Sequence, residues 1–263
     1  MDAERRRVAI ARLISENDGA DIKTLAEHFH VSAMTIRRDR KILSARNKIE
    51  PTHGGAVPVG YRLGEMPYAR KTAVNLDKKQ AIARAAAELV PDECCVILDA
   101  GTTTLELAKL LFDKRISVVT VDMRIALLLA QSPTVTVFTP GGEVHPELQC
   151  QIDAHALNYL NGINASLSFI GSAVWDAGKG MSSSSVAKQA IKRAMMKRAE
   201  RTLLLADSSK YSLCNPWHVA ELSAFSAIIS DEGLSRENRC AVEHAGGTLT
   251  IAGLDTPTPT DQP

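Results

Sequence analysis

The most informative stretch of this chain is Phe29-His30-Val31-Ser32-Ala33-Met34-Thr35-Ile36-Arg37-Arg38-Asp39-Arg40. His30 and Val31 suit a tight turn. Ser32 can then accept hydrogen bonds from the first turn of a helix that runs to about Arg46. A tight turn, a capping serine and a helix with a basic outer face are how a small domain presents a helix to the major groove of DNA.

Helical geometry sorts the side chains of this third helix onto two sides. At about 100° per residue, Ile36 and Leu43 share one side, which we expect to lie in the core. The opposite side and its flanks carry Met34, Thr35, Arg37, Arg38 and Lys41. Basic helix faces are often merely solvated, but a third helix after a tight turn favours DNA contact. Free N–H groups at the helix start suit a phosphate, so Ser32 joins these predicted DNA contacts.

Two shorter amphipathic segments precede this helix. Residues 4–16 place Ile10 and Ile14 on one face, and Asn17-Asp18-Gly19 is a stop signal. Asp21 can cap a second helix that ends at Phe29. The N-terminal part is therefore predicted to be a three-helix DNA-binding domain.

Composition and charge favour a protein with a small nucleic-acid-binding part and argue against a zinc or membrane protein. The chain has 263 residues and a net charge of +1, but residues 1–60 carry 11 Lys and Arg against 8 Asp and Glu. A basic head on a near-neutral body fits local binding of nucleic acid. The five cysteines form no CxxC pair, so we expect no zinc site and no metal. A charged N-terminus and the lack of a long apolar run predict a cytoplasmic protein without a signal peptide or membrane contact.

From Leu76 onward, helical segments alternate with short apolar segments. The predicted strands are residues 94–98, 116–121, 135–139, 165–170, 202–206, 227–230 and 248–251. The predicted helices are residues 77–90, 105–112, 124–131, 154–160, 185–199 and 236–244. This alternation predicts a mainly parallel α/β sheet that is covered by helices on both faces.

Ligands of such sheets bind beyond the carboxyl ends of the strands, so the loops there are candidate sites. The first loop offers Asp99, Gly101, Thr102, Thr103 and Thr104 before a helix, an arrangement that can cradle a phosphate. The loop contains neither a Walker A motif nor GxGxxG, and an ordinary capped turn is an equal alternative. Later loops add Asp122, Gly141, Gly142, Gly171 and Lys210.

The N-terminal motif resembles the winged helix-turn-helix of the DeoR family of bacterial transcriptional regulators. That family has V-S-x-x-T-I-R-R-D-L-x-x-L and then a wing that ends H-G-G-A; this chain has residues 31–40, Leu43 and His53-Gly54-Gly55-Ala56. The C-terminal part resembles the family's sensor at residues 79–83, 98–104, 141–142, 192–195 and 206–210. The resemblance, over about residues 4–252, implies a wing contact with DNA at His53 and a sensor similar to sugar-phosphate isomerases.

Four positions depart from the family pattern. Arg40 replaces a core Leu and has to extend outward or pair with an acid such as Asp39 or Glu27. Asn47 replaces Gly, Pro51 replaces a wing Arg, and Asp122 replaces Asn. An ionised Asp accepts hydrogen bonds only, so Asp122 is expected to face the hydroxyls of a sugar rather than its phosphate.

The leading hypothesis is a sequence-specific binder of double-stranded operator DNA, most simply a repressor of a carbohydrate-metabolism operon that is controlled by a phosphorylated sugar. It needs no cofactor, and two recognition helices on paired half-sites favour a homo-oligomer, a dimer or a tetramer. One alternative is an isomerase-type enzyme that uses Asp99, Asp122, Asp176 or Lys210; another is an architectural DNA binder without a ligand.

The domain boundaries follow from these patterns. We predict a winged helix-turn-helix domain at residues 1–57, a linker at 58–75, a sensing domain at 76–253 and a disordered tail at 254–263.

Overall fold

The computed structural model describes residues 2–16, 20–46, 48–51, 54–58, 71–72 and 74–254. The chain divides into two compact units, Met1–Gly64 and Glu65–Pro263. The predicted helix stop at residues 17–19, the two family positions Asn47 and His53, most of the predicted linker and nearly all of the tail lie outside the described residues.

The first unit contains three helices and a small antiparallel sheet. The helices are α1 Ala3–Glu16, α2 Ile22–Phe29 and α3 Ala33–Ala45. The strands are β1 Ala20–Asp21, β2 Ile49–Pro51 and β3 Gly55–Pro58, in the order β1-β3-β2. The hairpin β2–β3 after α3 is a wing, so the prediction of a winged helix-turn-helix is confirmed.

Local chemistry sets the ends of these helices. The Asp21 carboxylate accepts the Thr24 N–H at 2.8 Å and so caps α2. His30 ends α2 in the left-handed region, with φ of 51°, and Ser32 then caps α3. Ile36 and Leu43 are buried, as the angular sorting predicted. They pack with apolar side chains of α1, α2, β2 and β3, namely Ile10, Ile14, Ile22, Leu25, Ile49 and Ala56.

The second unit is built on a seven-stranded sheet in the order β15-β14-β12-β9-β4-β5-β6, and every pairing in it is parallel. Its strands are β4 Cys95–Leu98, β5 Ser117–Thr120, β6 Thr136–Phe138, β9 Ala165–Gly171, β12 Ala199–Leu205, β14 Ala227–Asp231 and β15 Leu249–Ala252. Its helices are α4 Leu76–Ala87, α5 Thr102–Leu110, α6 Met123–Leu129, α7 Ala154–Asn161, α8 Val186–Lys197 and α9 Arg236–His244.

Two hydrophobic cores lie against this sheet. One contains Ile82 of α4, Leu107 of α5 and Ile125 of α6. The other contains Leu160 of α7, Met195 of α8 and Val242 of α9. The predicted fold class, a mainly parallel sheet covered on both faces, is therefore confirmed.

Two small antiparallel sheets were not predicted. One pairs β7 Val144–His145 with β8 Cys150–Gln151, and the other joins β10 Val174–Asp176, β11 Gly180–Ser183 and β13 Trp217–Ala220. Strand β11 is wholly buried, and its sequence is Gly-Met-Ser-Ser. This sequence lacks the alternation of apolar and polar residues by which a half-buried strand is predicted.

The prediction for α5 was wrong at its start, because the helix begins at Thr102 rather than at Leu105. The three threonines therefore form the first turn of α5 instead of a loop before it. In the part of the chain that the structure describes, no helix is long and apolar enough to cross a membrane.

Candidate DNA-binding face and effector site

The outer face of α3 is exposed and basic. Met34 is 72% exposed, and Arg37, Arg38 and Lys41 also face solvent. Among the described residues, none makes a hydrogen bond or ion pair with the side chain of Arg37, Arg38 or Lys41. These three cations are therefore available to phosphates or base edges.

The start of α3 is held by its own cap. The Ser32 hydroxyl accepts the Thr35 N–H at 3.1 Å, and the two hydroxyls share a hydrogen bond of 2.9 Å. Both hydroxyls already serve the helix, so DNA contacts by Ser32 and Thr35 stay predictions. The predicted contact of His53 lies outside the described residues.

Two consecutive residues join α3 to the rest of the first unit. The buried carboxylate of Asp39 accepts from Arg6 Nε of α1 at 2.7 Å. Arg40 donates from Nη1 to the carbonyl oxygen of Gly55, in β3, at 3.0 Å. Asp39, one of the acids suggested as a partner of Arg40, is thus paired with Arg6, and Arg40 reaches a backbone carbonyl.

The strand order of the second unit reverses at β4, where open parallel sheets have a crevice beyond the carboxyl ends of their strands. From β4 the chain adds β5 and β6 on one side, and then places β9 on the other side of β4. Connections on the two sides of such a point diverge, so ligands of open parallel sheets bind there. The strand ends at this point are Asp99, after β4, and Gly171, the last residue of β9.

A buried ion pair links the carboxyl ends of β4 and β9 at this point. Asp99 Oδ2 accepts the Gly171 N–H at 3.0 Å and also pairs with Lys192 Nζ of α8. Lys192 donates in addition to the Gly171 carbonyl oxygen at 2.8 Å. The predicted site residues Asp99 and Gly171 are thus brought together by Lys192. Loop-based reasoning missed Lys192 because it lies in the middle of a helix.

The first turn of α5 carries the three predicted threonines, all of them buried. The Thr104 hydroxyl donates to the Gly101 carbonyl oxygen at 2.9 Å, and Gly101, at the N-cap, supplies no side-chain capping bond. The outward N–H groups of this turn therefore remain a suitable place for an anion.

Asp122 links the starts of two helices. Its Oδ1 accepts the Arg124 N–H at 2.8 Å and caps α6, and its Oδ2 accepts the Gly101 N–H at 3.2 Å, just before α5. Burial raises the pKa of the Asp122 carboxyl, against the lowering effect of the Arg124 N–H and guanidinium. Both oxygens are engaged by the protein, and the predicted contact with sugar hydroxyls stays a prediction.

A second cluster of charges lies after β12. Lys210 Nζ is 3.3 Å from Asp207 Oδ2, and Asn75 donates to Asp207 Oδ1 at 3.3 Å and to the Ser209 hydroxyl at 2.9 Å. Burial opposes ionisation of Asp207, but Lys210 and Ser209 outweigh it and lower its pKa. The predicted residue Lys210 is therefore part of a network that also holds Asn75, which precedes α4.

Lys79 of α4 is a buried lysine with a lowered pKa. Its ammonium donates to the backbone carbonyl of Lys71. Burial and the nearby charge of Lys210 lower the pKa of Lys79 to about 8. The next residue of α4, Gln80, donates to Glu106 of α5 at 3.4 Å, and the charges of Glu106, Asp207 and Lys210 all act on Lys79.

Gly141 and Gly142 have a structural explanation of their own. Both have positive φ, of 79° and 92°. A Cβ on Gly142 would lie 2.4 Å from Asp153 Oδ2, whereas one on Gly141 would meet nothing within 4 Å. Asp153 caps α7 through the Ala156 N–H, so a side chain at position 142 would have to displace this capping carboxylate. A ligand contact by either glycine stays a prediction.

The chemistry of this sheet edge suits a polyhydroxylated anion. It offers ammonium groups, helix N–H groups and buried carboxylates. Over the described ranges, no group of three or more His, Cys, Asp or Glu is arranged to hold a metal ion.

Comparison with known proteins identifies both units. Residues 6–59 match the model of the DeoR-like helix-turn-helix domain, and residues 74–232 match that of the DeoR C terminal sensor domain. The HTH-type transcriptional regulator GlpR of Haloferax volcanii is 34% identical over 250 residues, 95% of this chain and 97% of that protein. The transcriptional repressor AccR of Agrobacterium fabrum is 29% identical over 230 residues, 87% of this chain and 89% of that protein.

Among solved structures, the ribose 5-phosphate isomerase A of Methanocaldococcus jannaschii is similar with a TM-score of 0.40. The two chains are 16% identical, and the likeness covers 52% of this chain and 55% of that one.

Proposed function

The chain belongs to the DeoR family of transcriptional regulators, and on that premise we propose that it represses a carbohydrate-metabolism operon under the control of a phosphorylated sugar. It is a DNA-binding regulator and not an enzyme, since the relatives that match nearly its whole length are named as transcriptional regulators. The isomerase-type alternative is therefore not favoured.

The exposed basic face of α3 carries the proposal for DNA. The side chains of Arg37, Arg38 and Lys41 have no partner among the described residues, and Asp39 and Arg40 hold the same helix against its own domain. The proposed contacts are Ser32, Met34, Thr35, Arg37, Arg38 and Lys41 on or before α3, with His53 in the wing. Base edges give specificity, and phosphates supply salt-dependent affinity.

The effector is proposed to bind at the sheet edge with its phosphate beside Lys79 and Lys210. Two ammonium groups and the free N–H groups of the α5 first turn suit a dianion. The hydroxyls of the sugar would then face the carboxylates of Asp99 and Asp122, which accept hydrogen bonds and repel phosphate. The full set is Asp99, Gly101, Thr102, Thr103, Thr104, Asp122, Gly171 and Lys210, with Lys79 added; Gly141 and Gly142 shape the neighbouring turn.

The same groups suggest how the effector acts on the chain. Lys79 holds the Lys71 carbonyl, and Asn75 is held by Asp207 and Ser209. Lys71 and Asn75 belong to the C-terminal end of the predicted linker, residues 58–75. A phosphate that binds Lys79 competes with the Lys71 carbonyl and so weakens the hydrogen bond between Lys79 and Lys71. Effector and operator affinities must then be coupled equally in both directions.

Assembly and location complete the proposal. A homodimer or homotetramer, joined through its sensor domains, would place two copies of α3 on paired half-sites of an operator. A regulator of operator DNA works where the chromosome is, and we therefore assign it to the cytoplasm.

The test combines two measurements on the full-length protein. An operator is first selected from a random duplex pool, and its affinity is measured by fluorescence anisotropy. Thermal-shift screening against aldose and ketose phosphates then identifies the effector, because a ligand of the native state raises apparent stability. Lys210→Ala should abolish the shift. The matched control is Lys197→Ala, an exposed lysine at the far end of α8.

Three results would overturn parts of this proposal. Failure to select any duplex excludes sequence-specific binding. A shift with free sugars but none with their phosphates excludes the phosphate site. Turnover of a sugar phosphate that is lost in Asp122→Ala would restore the enzyme alternative.

A further inference from the structure

We propose that Arg40 is a positioning residue for DNA recognition, which fixes the recognition helix α3 to the wing strand β3 through the carbonyl oxygen of Gly55. The contact is a hydrogen bond of 3.0 Å from Arg40 Nη1, and the side chain is half-buried rather than extended into solvent. A guanidinium donor makes this hydrogen bond stronger than one between two neutral groups.

At Gly55, the first residue of β3, the strand passes close against β1. A Cβ at this position would lie 2.2 Å from the Ala20 carbonyl oxygen, so only glycine fits. The backbone of β3 is therefore held by β1 on one side, through the pairing of Gly55 with Asp21. Arg40 adds a link from the same residue to α3. The wing strand β3, the strand β1 and the recognition helix α3 therefore meet at Gly55.

The neighbouring residue anchors the other side of the same helical turn. Asp39 is buried and accepts from Arg6 of α1 at 2.7 Å. Two consecutive residues of α3 hold it against α1 and against the wing, while the two residues before them, Arg37 and Arg38, point outward. The Asp39–Arg6 pair is independent of Arg40 and keeps α3 docked when Arg40 is replaced.

The consequence concerns specificity more than affinity for DNA in general. If α3 and the wing are one rigid element, the cations of α3 meet base edges only when the wing also lies on its phosphates. A looser connection leaves the number of phosphate contacts unchanged, but α3 and the wing no longer keep a fixed position relative to each other. The competing role for an arginine here is a direct phosphate contact, and the salt dependence of binding separates the two roles.

The experiment uses the full-length protein, the selected operator and a random duplex, each at several salt concentrations. Arg40→Leu, which removes the hydrogen bond, should weaken operator binding by about tenfold and leave random-duplex binding and the salt slope unchanged. Arg40→Lys, which can still donate to the Gly55 carbonyl, should recover most of the loss. Arg38→Ala is the control for a contact with DNA itself.

Each other outcome overturns the proposal. A salt slope that becomes shallower by about one unit in Arg40→Leu makes Arg40 a phosphate ligand. Equal losses on both duplexes mean a loss of folded protein only, and unchanged operator binding means that Arg40 has no role. If Arg40→Leu does not fold by circular dichroism, Arg40→Gln and Arg40→Lys are compared by the same slope and the same affinity ratio.

Discussion

Replacing Lys192 by Met should be the most damaging single change in the second unit that leaves its apolar core intact. Met keeps most of the length of the lysine stem but removes the ammonium. Asp99 is then a buried carboxylate whose remaining hydrogen bond, among the described residues, comes from the Gly171 N–H at 3.0 Å. Breaking a buried ion pair in this way costs about 3–5 kcal/mol of the free energy of unfolding. For a domain of this size, the midpoint of thermal unfolding should fall by about 6–20 °C.

The assay is urea unfolding followed by tryptophan fluorescence. Both tryptophans, Trp175 and Trp217, belong to the second unit, so the signal reports on this unit alone. The double variant Asp99→Asn/Lys192→Met removes the charge together with its partner, and it should lose only about 1–2 kcal/mol. Lys197→Met, an exposed lysine of the same helix, is the control and should change stability by less than about 0.5 kcal/mol. A single variant no less stable than the double variant would refute the reasoning, because the ion pair would then contribute nothing.

Three further predictions address DNA, pH and backbone geometry. Arg38→Ala should weaken operator binding by about 1–3 kcal/mol in anisotropy titrations, and equal binding by both proteins would remove Arg38 from the site. Since the pKa of Lys79 is about 8, its protonated fraction falls as pH rises, and affinity for a sugar phosphate should drop about tenfold from about pH 7 to about pH 9. Lys79→Arg should flatten this profile, and a flat profile in the unaltered protein contradicts the assignment. Gly142→Ala should cost at least about 1 kcal/mol in urea unfolding and more than Gly141→Ala, because both need positive φ but only Gly142 abuts Asp153.

The elements that could be predicted from the sequence are those with a strong local signal. The helix α3 has a capping serine, a buried side at Ile36 and Leu43, and an exposed basic side, each of which depends only on helical spacing. The seven parallel strands are short apolar segments between amphipathic helices, and their alternation is enough to predict the sheet.

The rest depends on contacts between residues that are far apart in the sequence. Lys192 and Lys79 lie inside helices, where a lysine ordinarily faces water, and only tertiary packing buries them. The partner of Arg40 is a backbone carbonyl, which no side-chain pattern reveals. The small sheet of β10, β11 and β13 is likewise built from strands of only three or four residues, of which β11 and β13 pack against α8.

The crevice at Asp99 has a consequence for the cooperativity of the sensor. Lys192 comes from α8, whose apolar side belongs to one core, while the three threonines begin α5, whose apolar side belongs to the other. These two layers of helices are otherwise separated by the whole thickness of the sheet. A ligand in the crevice therefore connects two parts of the domain that would open independently, and it should slow amide hydrogen exchange in α5 and α8 together. Binding at one small site would then stabilise the helices on both faces of the sheet.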